Sequence, residues 1–372
     1  MKKRLVKLVS VLLMLAVVSG LCACLDDFDD YGDFGYGYDD ESDDSTKATE
    51  GTYIRSNFNA DQYPYFAVLG SKEKDIYSLL YEELSKGSQK FDCKKVKASA
   101  EQLTKAIDAV LNDHPELFWI DNQYEYTYDP DDGSIEDVSF DFFDFANTPD
   151  KLHDAKVAFE QAADNILDGA RSQPFMVERE RAIHDYICKN TTYDESAPYN
   201  QSAYSVIVLH RSVCAGYSRA FQYLMNRAGL TCYYVPGTTT DSSIAGEDGA
   251  HAWNIVYLDN AWYEVDATWD DLDFEVSPSD EGYDLLMEAL SNEVYMAKIR
   301  HYMFNRTTEE TSSFTPGEEY RYTSDRGWVS LLQPSVHIRF SESESESTRD
   351  YITPLAPLAE GTYYTWSMLS GQ

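Results

Sequence analysis

From Ser212 to Asp271 the hydrophobic period changes once, from helical to alternating, and this constrains the fold more than any other stretch of the 372 residues. Tyr217, Ala220, Phe221, Leu224, Met225 and Ala228 recur at helical spacing, and Gly229 closes the run. The β-branched and aromatic run TCYYVPGTTT follows from Thr231 and reads as a strand ending in a Pro-Gly turn. Gly249 to Leu258 reads as a second strand, Asp259-Asn260 as a tight turn, and Trp262 to Asp270 as the returning strand.

This frame places three reactive side chains. Cys214 heads the helix, off its apolar stripe. The unpaired N–H groups and the dipole at a helix start favour an anion. The thiolate is the nucleophilic form of cysteine, and the same N–H groups can serve an oxyanion. His251 lies near the start of the first hairpin arm and Asp266 near the end of the second. Antiparallel pairing sets such positions side by side. A carboxylate there orients an imidazole, which then takes the proton of a docked thiol.

The words that carry these residues are VCAGYS at 213–218, GAHAWNIV at 249–256 and WYEVDATWDD at 262–271. In this order they resemble the transglutaminase-like superfamily. The resemblance covers about 200–271. It weakens over 174–200, where ERERAIHDYICKNTTYD is similar to the helix that precedes the core in bacterial members, and touches His301 to Phe304. It implies an α+β fold with a papain-like core, in which a helix headed by the Cys packs on an antiparallel sheet bearing the His and Asp. A mainly helical N-terminal region precedes that core. It also implies acyl transfer through a thioester: Cys214 attacks an amide carbonyl, His251 acts as base and then acid, and Asp266 sets the tautomer. Water or an amine then resolves the acyl-enzyme.

The chain opens as an address. Lys2, Lys3, Arg4 and Lys7 precede an apolar run from Leu8 to Val18 and small residues after it, the pattern of a secretory leader. Leu21-Cys22-Ala23-Cys24 resembles the lipobox of bacterial lipoproteins, which implies cleavage before Cys24 and a diacylglyceryl anchor on it. The alternative is an uncleaved anchor, since Leu8 to Leu25 reaches the lower limit for a spanning helix. Either way the remainder is expected on the extracytoplasmic face of the cell membrane. Residues 25–50 hold eleven acids against Lys47 and read as an extended tether; a calcium loop would need a DxDxDG spacing that is missing.

The expected organisation is a leader at 1–23, a tether at 24–60, an α+β region at 61–172, the transglutaminase-like domain at 173–310 and a β-rich or irregular tail at 311–372. Within the α+β region, helices are expected at 71–90 and 99–113, a hairpin around Asp131-Asp132-Gly133, and further helices at 149–169 and 175–190. The tail contains SESESES at 341–347 and strand-like TYYTW at 362–366.

Charge and cysteine usage narrow the function. A net charge of −35 repels nucleic acid, so that partner is excluded and cationic partners are favoured. The six Cys include no CxxC pair, which argues against a zinc ribbon, a redox dithiol or a disulfide scaffold. Absence of HExxH and of a Cys/His cluster argues against a metal-dependent hydrolase, and no cofactor or metal is expected. Cys93, Cys188 and Cys232 read as buried thiols, with a disulfide between two of them left open. His184 beside Asp185 reads as a helix-surface pair; His114, His153, His210, His301 and His337 show no ligand spacing. Trp253, Trp262 and Trp269 read as core or groove wall. Tyr204 reads as packing, or alternatively as a hydroxyl near the oxyanion. The expected function is a surface-anchored cysteine enzyme acting on glutamine-type or peptide amides of proteins. A non-catalytic interaction module at the envelope is the alternative. The sequence does not set the oligomeric state.

Overall fold

The computed structural model describes residues 4–9, 58–239, 249–271, 287, 291–312, 320–323, 327–330, 336–339 and 356–370. Its fold is α+β. The leader beyond Val9, Cys24, the tether up to residue 57 and the SESESES run lie outside the described residues. Within the leader, Arg4–Val9 (β1) forms an edge strand, which suits its β-branched and apolar residues while the segment remains attached. No helix among the described residues is long and apolar enough to cross a membrane.

The region before the thiol helix is built as its patterns demand. A short turn, Pro64–Ala67 (α1), leads to Ser71–Lys86 (α2), which Gly87 ends in the left-handed region at φ 85°. Lys90–Asp92 (β2) follows, then Ala100–Asp113 (α3), entered through a capping box between Ser99 and Gln102. Ile120–Tyr128 (β3) and Ile135–Phe142 (β4) form the expected hairpin. These strands make a sheet in the order β1-β3-β4-β2. Two long helices, Pro149–Arg171 (α4) and Met176–Asn190 (α5), close this half.

The second half carries the candidate site. Thr192–Tyr193 (β5) pairs in parallel with Arg211–Ser212 (β6), on either side of Ala203–Ile207 (α6). Cys214–Arg227 (α7) follows, then Thr231–Thr239 (β7), Ala250–Leu258 (β8) and Ala261–Val265 (β9). Asp259 and Asn260 turn between β8 and β9 with positive φ. Pro236-Gly237 does not turn the chain as expected; both lie within β7, opposite Ala252 and His251. Glycine is required at 237, because a Cβ there would stand 2.4 Å from the Trp253 ring.

The returning strand is also shorter than expected. It stops at Val265, and Asp266 caps Ala267–Asp270 (α8) by accepting from Thr268 N and Trp269 N. Glu293–Ile299 (α9) and Thr308–Ser312 (α10) come next, then the hairpin of Tyr320–Thr323 (β10) and Gly327–Ser330 (β11). His337–Arg339 (β12) pairs antiparallel with β7 and extends the sheet to β12-β7-β8-β9. The TYYTW stretch is no strand: it leads into Trp366–Leu369 (α11).

One hydrophobic cluster joins the two halves, running from Tyr65 and Leu80 through Phe118 and Phe159 to Phe221, Val256 and Phe304. Polar ties back α7 onto the first half. The Arg219 guanidinium donates to Asn112 Oδ1 at 3.1 Å, and Gln222 Nε2 to the Asn112 carbonyl at 3.0 Å. The helix bearing Cys214 is thus held from behind as well as by the sheet.

Candidate active site

The start of α7 is fixed by small residues. Gly216 stands where a Cβ would meet Ser212 Oγ at 2.0 Å and the Asn200 carbonyl at 2.5 Å, so only glycine lets β6 and the preceding loop approach the helix. Ser218 Oγ donates to the Ala252 carbonyl at 2.9 Å, and Asn254 Nδ2 donates to the carbonyls of Ser218 and Tyr233. These bonds pin the start of α7 to Ala252 and Asn254 of β8, one and three residues beyond His251. Cys214 is half-buried at that turn, close enough to the His251 ring to act on it electrostatically.

His251 and Asp266 meet as the hairpin requires. The last pair of β8 with β9 is Asn254 with Val265, so one further step sets Asp266 against Trp253. His251 lies two residues along β8 from Trp253, on the same face, within diagonal reach. His251 Nε2 and Asp266 Oδ2 are 2.6 Å apart, both side chains buried. With Nε2 committed to the carboxylate, Nδ1 is the ring nitrogen left for the thiol. Burial works against charge on His251, but the Asp266 carboxylate and then Cys214 outweigh it and raise the ring to about 10. Burial likewise resists ionisation of Asp266, while His251 and then His337 hold it well below the usual carboxylate range.

The structure therefore brings together the three expected residues, and adds three that the sequence did not reveal. His337 places Nε2 3.1 Å from Asp266 Oδ2 and Nδ1 2.9 Å from Glu264 Oε2. Buried Glu264 also accepts from Arg339 Nη2 at 2.9 Å and from the hydroxyls of Thr308 and Thr311 at 2.7 Å each. Burial opposes its ionisation, and the bond and charge of His337, followed by Arg339, lower it to about 2. Half-buried Tyr193, on β5, has its hydroxyl raised by burial first and electrostatically by Cys214 second. His337 and Arg339 alternate along a three-residue strand, but nothing local in the sequence ties them to Glu264.

The aromatic residues divide between wall and core. Trp269 stacks on His251 with centroids 4.8 Å apart and planes 13° apart, and so walls the site. Trp253 is fully buried and stacks on His337 at 4.1 Å. Trp262 is half-buried against Tyr233 and Tyr257. Tyr204 packs between Phe118 and Phe145, as its packing reading expects.

His184 departs from expectation. It is no surface pair: its side chain is 1% exposed, its Nε2 lies 3.0 Å from Asp270 Oδ2 and its Nδ1 3.2 Å from Asp185 Oδ1. Helix α5 turns this face into the protein because α8 packs on it, a tertiary fact the local pattern does not carry. Asp185 also meets His301 Nε2 at 2.6 Å. The groups His184/Asp185/His301 and His251/Asp266/His337 are compact enough to share a metal ion. In each, however, the nitrogen and oxygen atoms already bond one another at 2.6–3.2 Å. Cys93, Cys188, Cys214 and Cys232 are all free thiols, Cys188 being half-buried rather than buried.

Residues 160–267 match the family model of the transglutaminase-like superfamily. The chain is similar to the kyphoscoliosis peptidase of Homo sapiens, 29% identical over 157 residues, 39% of this chain and 23% of that protein. It is similar to the Mus musculus protein of the same name, 32% identical over 125 residues, 31% of this chain and 18% of that one. The chain thus spans less than a quarter of the length of these relatives. Among solved structures it is similar to one described as a TGase, 16% identical, covering 40% of this chain and 46% of that chain with a TM-score of 0.29.

Proposed function

Because residues 160–267 form a transglutaminase-like domain, we propose that the chain is a cysteine enzyme that cleaves or transfers the acyl group of glutamine-type or peptide amides. One observation carries this reading: buried Asp266 fixes His251 Nε2 at 2.6 Å, and the half-buried Cys214 at a helix start lies close enough to that ring to raise it. The sulfur attacks the amide carbonyl while His251 holds the thiol's proton. The developing oxyanion falls at the head of α7, where backbone N–H groups point outward. His251 then protonates the leaving amine. Water gives hydrolysis and a second amine gives transamidation. A lipid on Cys24 would hold this site at the outer face of a membrane, toward proteins or peptides of the envelope.

Cys214 is partly exposed, as a reacting thiol must be. The other three thiols are poor nucleophiles: burial pushes Cys93 up to about 12, Cys188 up to about 11 and Cys232 well above its usual range. The test is substoichiometric iodoacetamide labelling of the full-length chain across pH 4–9, read by mass spectrometry. Selective labelling of Cys214 below pH 7, lost in His251→Ala, supports the reading. Labelling of Cys214 only near pH 8.5 overturns it and leaves an interaction module. An amidase or transamidase activity that survives Cys214→Ala would overturn it equally.

A further inference from the structure

We propose that His337, delivered by the C-terminal strand β12, is a positioning residue of the active site: it shares the Asp266 carboxylate with His251 and so fixes the general base. This rests on the cysteine-enzyme reading above and extends it to a segment beyond the residues matched to the family.

Asp266 Oδ1 is taken by the N–H groups of Thr268 and Trp269 at 2.9 and 3.2 Å. Its Oδ2 faces His251 Nε2 at 2.6 Å and His337 Nε2 at 3.1 Å. The carboxylate therefore has no freedom to rotate, and His251 inherits that fixity. His337 is itself over-determined. Its Nδ1 meets Glu264, its ring lies on Trp253 with planes 12° apart, and it faces Trp269 at 4.8 Å. Glu264 is anchored by Arg339, Thr308 and Thr311. Arg339 in turn donates to the carbonyls of Ala356 and Pro357, so the tail is locked to the same cluster. A buried glutamate with four partners costs far too much to keep for sheet packing alone, where an apolar residue would serve.

Both nitrogens of His337 meet carboxylate oxygens, so the ring is tied at both ends. The charged and titratable groups around it are Glu264 from β9, Asp266 just beyond that strand, Arg339 from β12 through Glu264, and His251 from β8. Without this tie Asp266 loses one of its fixed partners, and His251 is held less well for taking the thiol's proton.

The experiment measures iodoacetamide alkylation of Cys214 against pH in the full-length chain, for wild type, His337→Gln and His337→Phe, with the melting temperature of each. Glutamine keeps one donor without the ring; phenylalanine keeps the ring stack without a donor. The expected result is a profile moved to higher pH by about one unit in both variants, roughly a tenfold slower reaction at pH 6. His337→Phe should also lose rate on its plateau, which His337→Gln partly retains. A merely structural role would lower the melting temperature and leave the profile in place; that outcome overturns the proposal. If phenylalanine prevents folding, the glutamine profile alone decides. Failure of wild-type Cys214 to react selectively below pH 7 would instead sink the parent reading, so the two failures are distinguishable.

Discussion

His184 places Nε2 3.0 Å from Asp270 Oδ2, neither side chain more than 1% exposed, and this pair ties α5 to the turn that carries Asp266. Asp270 also accepts from Met303 N at 2.8 Å, and its own N–H donates to the Asp266 carbonyl. Burial works against charge on His184, but neighbouring Cys188, Asp185 and Asp270 raise it well above the usual histidine range. Replacing His184 by Ala leaves the Asp270 carboxylate buried without its cation. The expected cost is about 3–5 kcal/mol, read from urea denaturation. Asp270→Asn in the same background should recover part of it, because the stranded charge is then gone.

The His251–Asp266 pair sets a pH dependence of stability. The ring is raised to about 10 in the folded protein, against about 6.5 for a free histidine. A raised folded value means that the stabilisation is complete below about pH 6.5 and is lost as pH climbs through 10. Stability measured by denaturation should therefore fall between pH 7 and 10 in wild type. His251→Gln should flatten that slope. An identical slope in the variant would show that other groups dominate alkaline unfolding.

How much of this was legible in the sequence follows from range. The thiol helix, the hairpin and the pairing of His251 with Asp266 rest on periodicity, a two-residue turn and a register, all encoded within sixty residues. The helices ending at Gly87 and beginning at Ser99 carry local caps and were equally open to reading. What stayed hidden depends on contacts across the chain. His337 reaches Asp266 over 71 residues, and His184 reaches Asp270 over 86. A buried polar side chain looks like a surface one until its partner is known. Pro236-Gly237 misled for a related reason: it has turn chemistry, yet the close approach of Trp253 and of the Ile338 carbonyl uses it inside a strand.

The lipid anchor makes a separate prediction. If Cys24 carries the diacylglyceryl group, Cys24→Ala moves the protein from the membrane fraction to the soluble one, and leaves the alkylation profile of Cys214 unchanged. Two acyl chains hold firmly, whereas one gives only marginal binding. Retention of the variant in membranes would favour an uncleaved anchor, which is incompatible with β1 pairing along β3 from Arg4 opposite Tyr128 to Val9 opposite Gln123.

Gly216 offers the most direct test of how the fold presents the thiol. A methyl group there would meet Ser205 Oγ at 2.9 Å as well as Ser212 Oγ and the Asn200 carbonyl, and the last of these is backbone that cannot swing aside. Ser212 Oγ holds Ser205 Oγ and the Asn200 carbonyl at 2.6 Å each, so the clash spreads through the loop before α7. Gly216→Ala should therefore cost about 1–3 kcal/mol by overpacking. Because the strain falls two residues from Cys214, the variant should also slow alkylation of that thiol at temperatures well below its melting point. Loss of stability with an unaltered reaction rate would mean that the first turn of α7 holds the sulfur independently of the loop behind it.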